Sequence, residues 1–283
     1  MSTPTSSGHD PQGRFASAEA TSLWRQSAAQ RAQFLGPATT LMLDLANLQE
    51  RSHVLDVAAG TGEQSLLAAQ RLGASGRLLA IDLAAPMLEE AAASARAAGI
   101  ATVDTQVMDA QHLDLEPASF DAAISRMGVM LVPDPRAVFA DVWRVLKPGG
   151  KFAVMVFGAM EHNPWVMVPL SIIRRVGRLR VPERTEPGMF ALGDPGLLTR
   201  SFTAAGFRHV AEHTVAATRS YASCAEALQH LTATQQEIRR LFAQLSDADR
   251  VCALREIALA LNAFVGQDGV ALPGEVIAGV GTK

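Results

Sequence analysis

The stretch Val54-Leu55-Asp56-Val57-Ala58-Ala59-Gly60-Thr61-Gly62 constrains this chain more than any other. A short buried-type strand runs into a turn of small residues, and helical pattern begins at Glu63. Ala58, Ala59, Gly60 and Gly62 leave no bulky side chain in the way, so a ligand can touch backbone there, and the helix start presents unpaired N–H groups. Twenty residues after Gly62 the second apolar run ends in Asp82. An acid there is placed to accept from two ribose hydroxyls in the crevice outside the strand ends.

From His53 onward short apolar runs alternate with helical stretches, the sequence form of repeated βα units and a largely parallel sheet. The expected strands are Val54–Val57, Arg77–Ile81, Thr102–Val107, Phe120–Ile124 and Lys151–Phe157, each apolar enough to be covered on both faces. Pro86 and Gly99 bracket an alanine-rich helix, Met87–Ala98. Asp134 caps the next helix, Pro135 fits its first turn, Val138, Val142 and Val145 recur at helical spacing, and Pro148-Gly149-Gly150 ends it. A helix near Pro195–Ala205, a strand Phe207–Thr214 and a last strand Glu275–Val280 complete the pattern. The expected fold class is α/β: a doubly wound, seven-stranded, mostly parallel sheet with helical cap or lid insertions.

Around this core the chain divides by composition. Residues 1–17, rich in Ser, Thr, Pro and Gly, read as a tail without fixed structure. Residues 18–52 read as a helical cap and 53–158 as the ligand-binding core. The segment 159–193, with Pro164, Pro169, Pro182 and Pro187, breaks the alternation and reads as an inserted lid. Residues 194–283 return to the sheet, with a helical insertion at about 224–265. The 283 residues, 48% hydrophobic, are ample for a packed core. With 25 basic against 28 acidic residues there is no surplus of positive charge for a phosphate backbone, so nucleic acid is not an expected partner. No apolar run reaches the roughly 18 to 20 residues of a membrane span, and the first residues lack an apolar signal core, which places the chain in the cytoplasm. Cys224 and Cys252 have no thiol companions, so neither a metal site nor a disulfide is expected.

A glycine-rich turn with a later acid also serves nicotinamide dehydrogenases. Two details point elsewhere. Ser65 stands where the third glycine of G-x-G-x-x-G would fall, and Glu63 at the helix start would repel a pyrophosphate. A cofactor without phosphates, carrying a sulfonium and an amino acid, fits better. A nicotinamide-dependent oxidoreductase and a noncatalytic partner protein that binds the same cofactor stay open as alternatives.

At this point the chain resembles the class I S-adenosylmethionine methyltransferases, particularly the branch of ubiquinone and menaquinone C-methyltransferases and natural-product O- and N-methyltransferases. Val54–Gly62 resembles the first motif, Ile81-Asp82-Leu83 with Met87 the second, and Met108-Asp109-Ala110 the third. Phe120-Asp121 and Leu146-Lys147-Pro148-Gly149-Gly150 resemble the fourth and fifth landmarks, and the likeness covers about residues 50–157. It implies S-adenosylmethionine as cofactor and S-adenosylhomocysteine as product. It further implies that Asp56, Ala58, Gly60 and Gly62 form the methionine-side turn, that Asp82 holds the ribose, and that Leu83 and Met87 flank the adenine. Asp109 would accept from the adenine amine, Ala110 would offer backbone, and Ser125, Arg126 and Met127 would line the methionine end. Ala58 departs from the glycine common in relatives.

The acceptor pocket is expected from Met127, Met130, Phe157, Trp165 and Trp24. Asn163-Pro164-Trp165 looks like the N-P-P-Y motif of nucleic-acid amino-methyltransferases, but it follows the fifth strand rather than the fourth, so Trp165 reads as pocket or lid packing. His162, near Glu161 and His213, is the candidate general base. The arginines from Arg174 to Arg184 read as an exposed helix face, with an anionic-substrate site as the alternative. Together these point to methyl transfer onto N or O, less readily C, of a small organic molecule, in bacterial natural-product metabolism by its Ala- and Arg-rich composition. Homodimer formation is left open.

Overall fold

The structure, a computed structural model, describes residues 17–183, 186 and 188–283. Most of the expected tail, 1–16, lies outside the described residues, as do Arg184 and Pro187. Ser17 caps the first helix instead, its hydroxyl accepting from the Ala20 N–H at 3.1 Å. The chain then runs α1 (Ala18–Gln26), α2 (Ala28–Leu45), β1 (His53–Val57), α3 (Glu63–Leu72), β2 (Arg77–Asp82), α4 (Ala85–Ala97) and β3 (Val103–Val107). It continues with β4 (Phe120–Arg126), α5 (Pro135–Val145), β5 (Leu146–Phe157), α6 (Pro164–Gly177), α7 (Leu197–Ala204) and β6 (Arg208–Ala216). The last third holds β7 (Arg219–Tyr221), α8 (Cys224–Thr234), α9 (Gln236–Phe242), α10 (Asp247–Leu261), β8 (Val265–Gly266), β9 (Gly269–Leu272) and β10 (Glu275–Thr282).

Among the described residues seven strands form the main sheet, in the order β3-β2-β1-β4-β5-β10-β6. β1 to β5 run parallel, and β10 lies antiparallel between β5 and β6. Strand order reverses between β1 and β4, which opens a crevice beyond their C-terminal ends. The expected seven-stranded, doubly wound sheet is therefore present. At the opposite end, Asp121 ties three strands: it accepts from the His53 N–H at 2.8 Å and pairs with Lys147 at 2.6 Å.

β1 and β4 are buried along nearly their whole length, as their apolar runs require. The expectation of cover on both faces fails for β3: as an edge strand it leaves Val107 54% exposed beside polar Asp104 and Gln106. The helical block expected at 224–265 is three helices, and a small sheet, β7-β9-β8, accompanies it. α2 lays Leu35, Ala38, Met42 and Leu43 into the core over β5 and β10. α6 begins at Pro164, where no N–H is needed, and packs on α9 and α10. No described helix is long and apolar enough to cross a membrane.

Behind β5 the core is knit by edge-on aromatic pairs. Phe202 of α7 meets Phe139 at 4.8 Å, Phe207 at 5.3 Å and Phe152 at 5.8 Å between ring centroids. Phe202→Ala is expected to lower stability by about 3–5 kcal/mol, read by urea unfolding, because three rings lose their common neighbour.

Candidate active site

The turn after β1 is built on left-handed backbone. Gly60 and Gly62 have φ of 58° and 77°. Gly62 must also be small, because an added Cβ would lie 2.7 Å from the Cβ of Ala91 on α4. Ala58 at 54° and Met127 at 61°, though not glycine, share this conformation. They end neighbouring strands at the switch point, where strain of about 1–2 kcal/mol each is held by the surrounding structure. Gly128 completes the fit: a Cβ there would stand 2.4 Å from the Cβ of Ala58.

A cavity opens over this turn. Its floor is Ala58, Ala59 and Gly60, one wall carries Asp82, Leu83, Met87, Met108, Asp109 and Ala110, and Trp24, Arg126, Met127 and Leu131 close the far side. Asp82 accepts from the Gly60 N–H at 2.8 Å and the Ala84 N–H at 2.9 Å. Burial raises its pKa, with these amides working against the rise. Asp109 is oriented by the Gln111 N–H at 2.9 Å.

Glu63 lies at the start of α3 and joins two buried arginines, Arg31 of α2 and Arg126 of β4, the latter at 2.5 Å. Burial alone would raise the Glu63 pKa, but the two guanidinium groups hold it below the ordinary value. Arg31 also donates to the Trp24 carbonyl at 2.6 Å and lies over the Trp24 ring, 4.0 Å from its centroid. Asp56, fully buried beneath the turn, accepts from Ser65 at 2.5 Å and Gln64 at 3.2 Å.

A second cavity of about 430 Å3 adjoins the first and shares Trp24, Arg126, Met127 and Leu131 with it. Phe34, Leu35, Met130, Phe157, Trp165 and Leu170 make it apolar, and α6 and α9 supply its outer wall. The structure thus brings together Ala58, Gly60, Asp82, Leu83, Met87, Asp109, Ala110 and Arg126 on the first cavity, and Trp24, Met127, Met130, Phe157 and Trp165 on the second. Asp56, Gly62 and Ser125 stand behind the wall, Ser125 donating to the Val57 carbonyl at 2.8 Å. His162 is not brought to either cavity; it is exposed and its Nδ1 meets Glu275 at 2.9 Å, which raises its pKa. The arginine run is not one exposed face: Arg174 and Arg180 line the second cavity, and Arg175 pairs with Glu256 outside it. Sequence reading passed over Gln111, Leu131, Arg31 and Arg219. Met108, the first residue of the third motif, joins Asp109 and Ala110 on the first cavity, whereas Arg31 and Arg219 act through contacts distant in sequence.

Comparison with known proteins agrees with this geometry. Residues 54–150 match the model of the methyltransferase domain. Nocamycin O-methyltransferase of Saccharothrix syringae is 32% identical over 190 residues, which cover 64% of this chain and 68% of that protein. The ubiquinone/menaquinone biosynthesis C-methyltransferase of a Ruegeria species is 31% identical over 143 residues, covering 49% of this chain and 57% of the relative. In architecture the chain resembles YcgJ of Bacillus subtilis, with a TM-score of 0.60 and 19% identity, over 88% of this chain and 98% of that one. The chain belongs to the class I S-adenosylmethionine-dependent methyltransferases. It is an enzyme of that class, and its cofactor is S-adenosylmethionine.

Burial lifts the Asp56 pKa from 3.8 to about 7, against the opposing hydrogen bonds of Ser65 and Gln64. Between these values the unfolded chain releases the proton and the folded chain keeps it, so this group withdraws stability as pH rises from about 4 to about 7. Glu63 behaves oppositely: its contribution is present above the unfolded value and lost as pH falls through the depressed folded one. Asp56→Asn is therefore expected to gain on the native chain in thermal midpoint as pH is raised from 4 to about 7.

Proposed function

We propose that the enzyme transfers the methyl group of S-adenosylmethionine to an N or O atom of a small organic molecule held in the second cavity. The observation that carries this reading is the junction of two chambers across Trp24, Arg126, Met127 and Leu131. The first has a donor set suited to the cofactor. Asp82 is a half-buried carboxylate bonded to backbone amides and has acceptor capacity left for a diol. Leu83, Met87, Met108 and Leu131 offer an apolar slot for a purine, with Asp109 at its rim. Arg126 and the small turn face the amino-acid end. Against a dinucleotide stands Ser65, whose hydroxyl is spent on Asp56 where a third glycine would lie.

Bound S-adenosylmethionine supplies a methyl group on a sulfonium centre, open to in-line displacement. The protein's part is alignment and exclusion of water. The shared wall of Trp24, Met127 and Leu131 sets where an acceptor atom can approach. His162 lies outside both chambers, and the proposed reaction suits a nucleophile already deprotonated at working pH, such as a neutral amine or an ionised oxygen. A chamber of about 430 Å3 walled by aromatic and aliphatic side chains suits a molecule that can be enclosed, not a polymer. The similarity to nocamycin O-methyltransferase of Saccharothrix syringae supports a role in natural-product metabolism.

The test is turnover. Incubation with S-adenosylmethionine and a panel of amines, phenols and carboxylic acids is expected to release S-adenosylhomocysteine only when an acceptor is present; acceptor-independent or absent release across a broad panel contradicts the reading. Met167→Trp, which narrows the second chamber, is expected to lower acceptor kcat/KM by about tenfold or more while leaving S-adenosylhomocysteine affinity within about twofold. His162→Gln is expected to leave kcat unchanged.

A further inference from the structure

The second chamber is rich in arginine, and the pairing of those arginines is uneven. Of the six that line it, Arg31 and Arg126 share Glu63, Arg174 and Arg240 share Glu237, and Arg180 pairs with Glu186. The sixth, Arg219 of β7, has no acid partner among the described residues. It is 3% exposed, and its Nη1 is buried with no hydrogen-bond partner. The remaining acid on the lining, Glu183, is exposed at the outer side. His230, also on the lining, carries no negative charge that could offset Arg219, and burial with the Arg219 charge lowers its pKa. Burial pulls the Arg219 pKa down to about 9, which still leaves it charged at neutral pH.

The surroundings of Arg219 restrict what it can bind. Its guanidinium carbon lies 3.2 Å from the Trp165 ring centroid and 3.6 Å from that of Phe34. The two rings pack against the cation at close range, and neither supplies an oxygen or nitrogen acceptor to its N–H donors. An edge of parallel N–H donors matches a planar group with two anionic oxygens. Cation–π contacts stabilise the charge but accept no hydrogen bond in the plane, so a buried guanidinium fork stays short of acceptors.

We infer that the methyl acceptor is an apolar acid, and that Arg219 selects it by receiving an anionic oxygen pair, a carboxylate or an enolised dicarbonyl, on the edge of its guanidinium. The inference rests on reading the second cavity as the acceptor chamber. Phe34, Met130, Phe157 and Leu170 cover the apolar body of such a molecule. Arg219 is thereby a specificity-determining residue.

A matched pair of fluorescent probes tests this without knowledge of the natural acceptor: 1-anilinonaphthalene-8-sulfonate and the neutral N-phenyl-1-naphthylamine, which lacks the anionic group. With the protein saturated in S-adenosylhomocysteine, the sulfonate is expected to bind about tenfold or more tighter than the neutral probe. Arg219→Met is expected to abolish that preference while keeping neutral-probe affinity within about threefold. Arg219→Lys, which keeps the charge but not the fork, is expected to weaken the sulfonate several-fold. Equal binding of the two probes to the native chain, no binding of the sulfonate, or a preference that survives Arg219→Met overturns the inference. The comparison on the native chain decides even if a variant does not fold. Calorimetry with S-adenosylhomocysteine on the same sample separates the two levels: loss of that binding strikes the methyltransferase site itself, whereas intact binding without anion preference strikes only the role of Arg219.

Discussion

The carboxylate of Glu63 stands where three parts of the chain meet. It opens α3 directly after the glycine turn, receives Arg31 from the N-terminal helices and Arg126 from the end of β4, and is ionised because those two cations outweigh the penalty of burial. Arg31 in turn fixes Trp24 through its carbonyl and its ring. Trp24, Arg126 and Met127 are shared by both cavities. The partition between the chambers therefore depends on one acid, and with it the attachment of α1 and α2 to the switch point of the sheet. Two arginines on one carboxylate also leave the junction with surplus positive charge, which strengthens as the dielectric falls.

The parts of this arrangement legible in the sequence are those with local causes. A short apolar strand, a turn that needs left-handed backbone at Gly60 and Gly62, and an acid at the end of the next strand are each specified within a few residues, so the sheet and the first cavity could be read off. Long-range pairings leave no such mark. Glu63 reads as a group that repels phosphate; its partners lie 32 and 63 residues away, and only the fold brings them together. Arg219 sits on a three-residue strand, too short for any periodicity. His162 was drawn toward the site by its place after the fifth strand, yet β10 begins beside it and supplies Glu275 as its partner. Asp56 and Ser125 belong to the first motif and the fourth strand, but the structure spends them on holding the turn and β1.

The two chambers have different origins. The first is made almost wholly by strand ends and the turns after them, elements fixed by the sheet. Beyond Arg126, Met127, Met130, Leu131 and Phe157 from the sheet core, the second is assembled from helices α1, α2, α6, α8 and α9, the turn after α6, and the edge of the small sheet, outside the repeated βα units. Cofactor chemistry and acceptor choice can thus vary independently, in keeping with the general rule that function resides in sites grafted onto a shared fold.

The central claim is that the crevice at the strand-order reversal holds S-adenosylmethionine with Asp82 on the ribose. Calorimetric titration with S-adenosylhomocysteine and with NAD, on the native chain and on Asp82→Ala, tests it most directly. The account predicts binding of the sulfur ligand alone, weakened about tenfold or more by the substitution through loss of charge-assisted hydrogen bonds. Binding of NAD in its place, or S-adenosylhomocysteine affinity indifferent to Asp82, would contradict it.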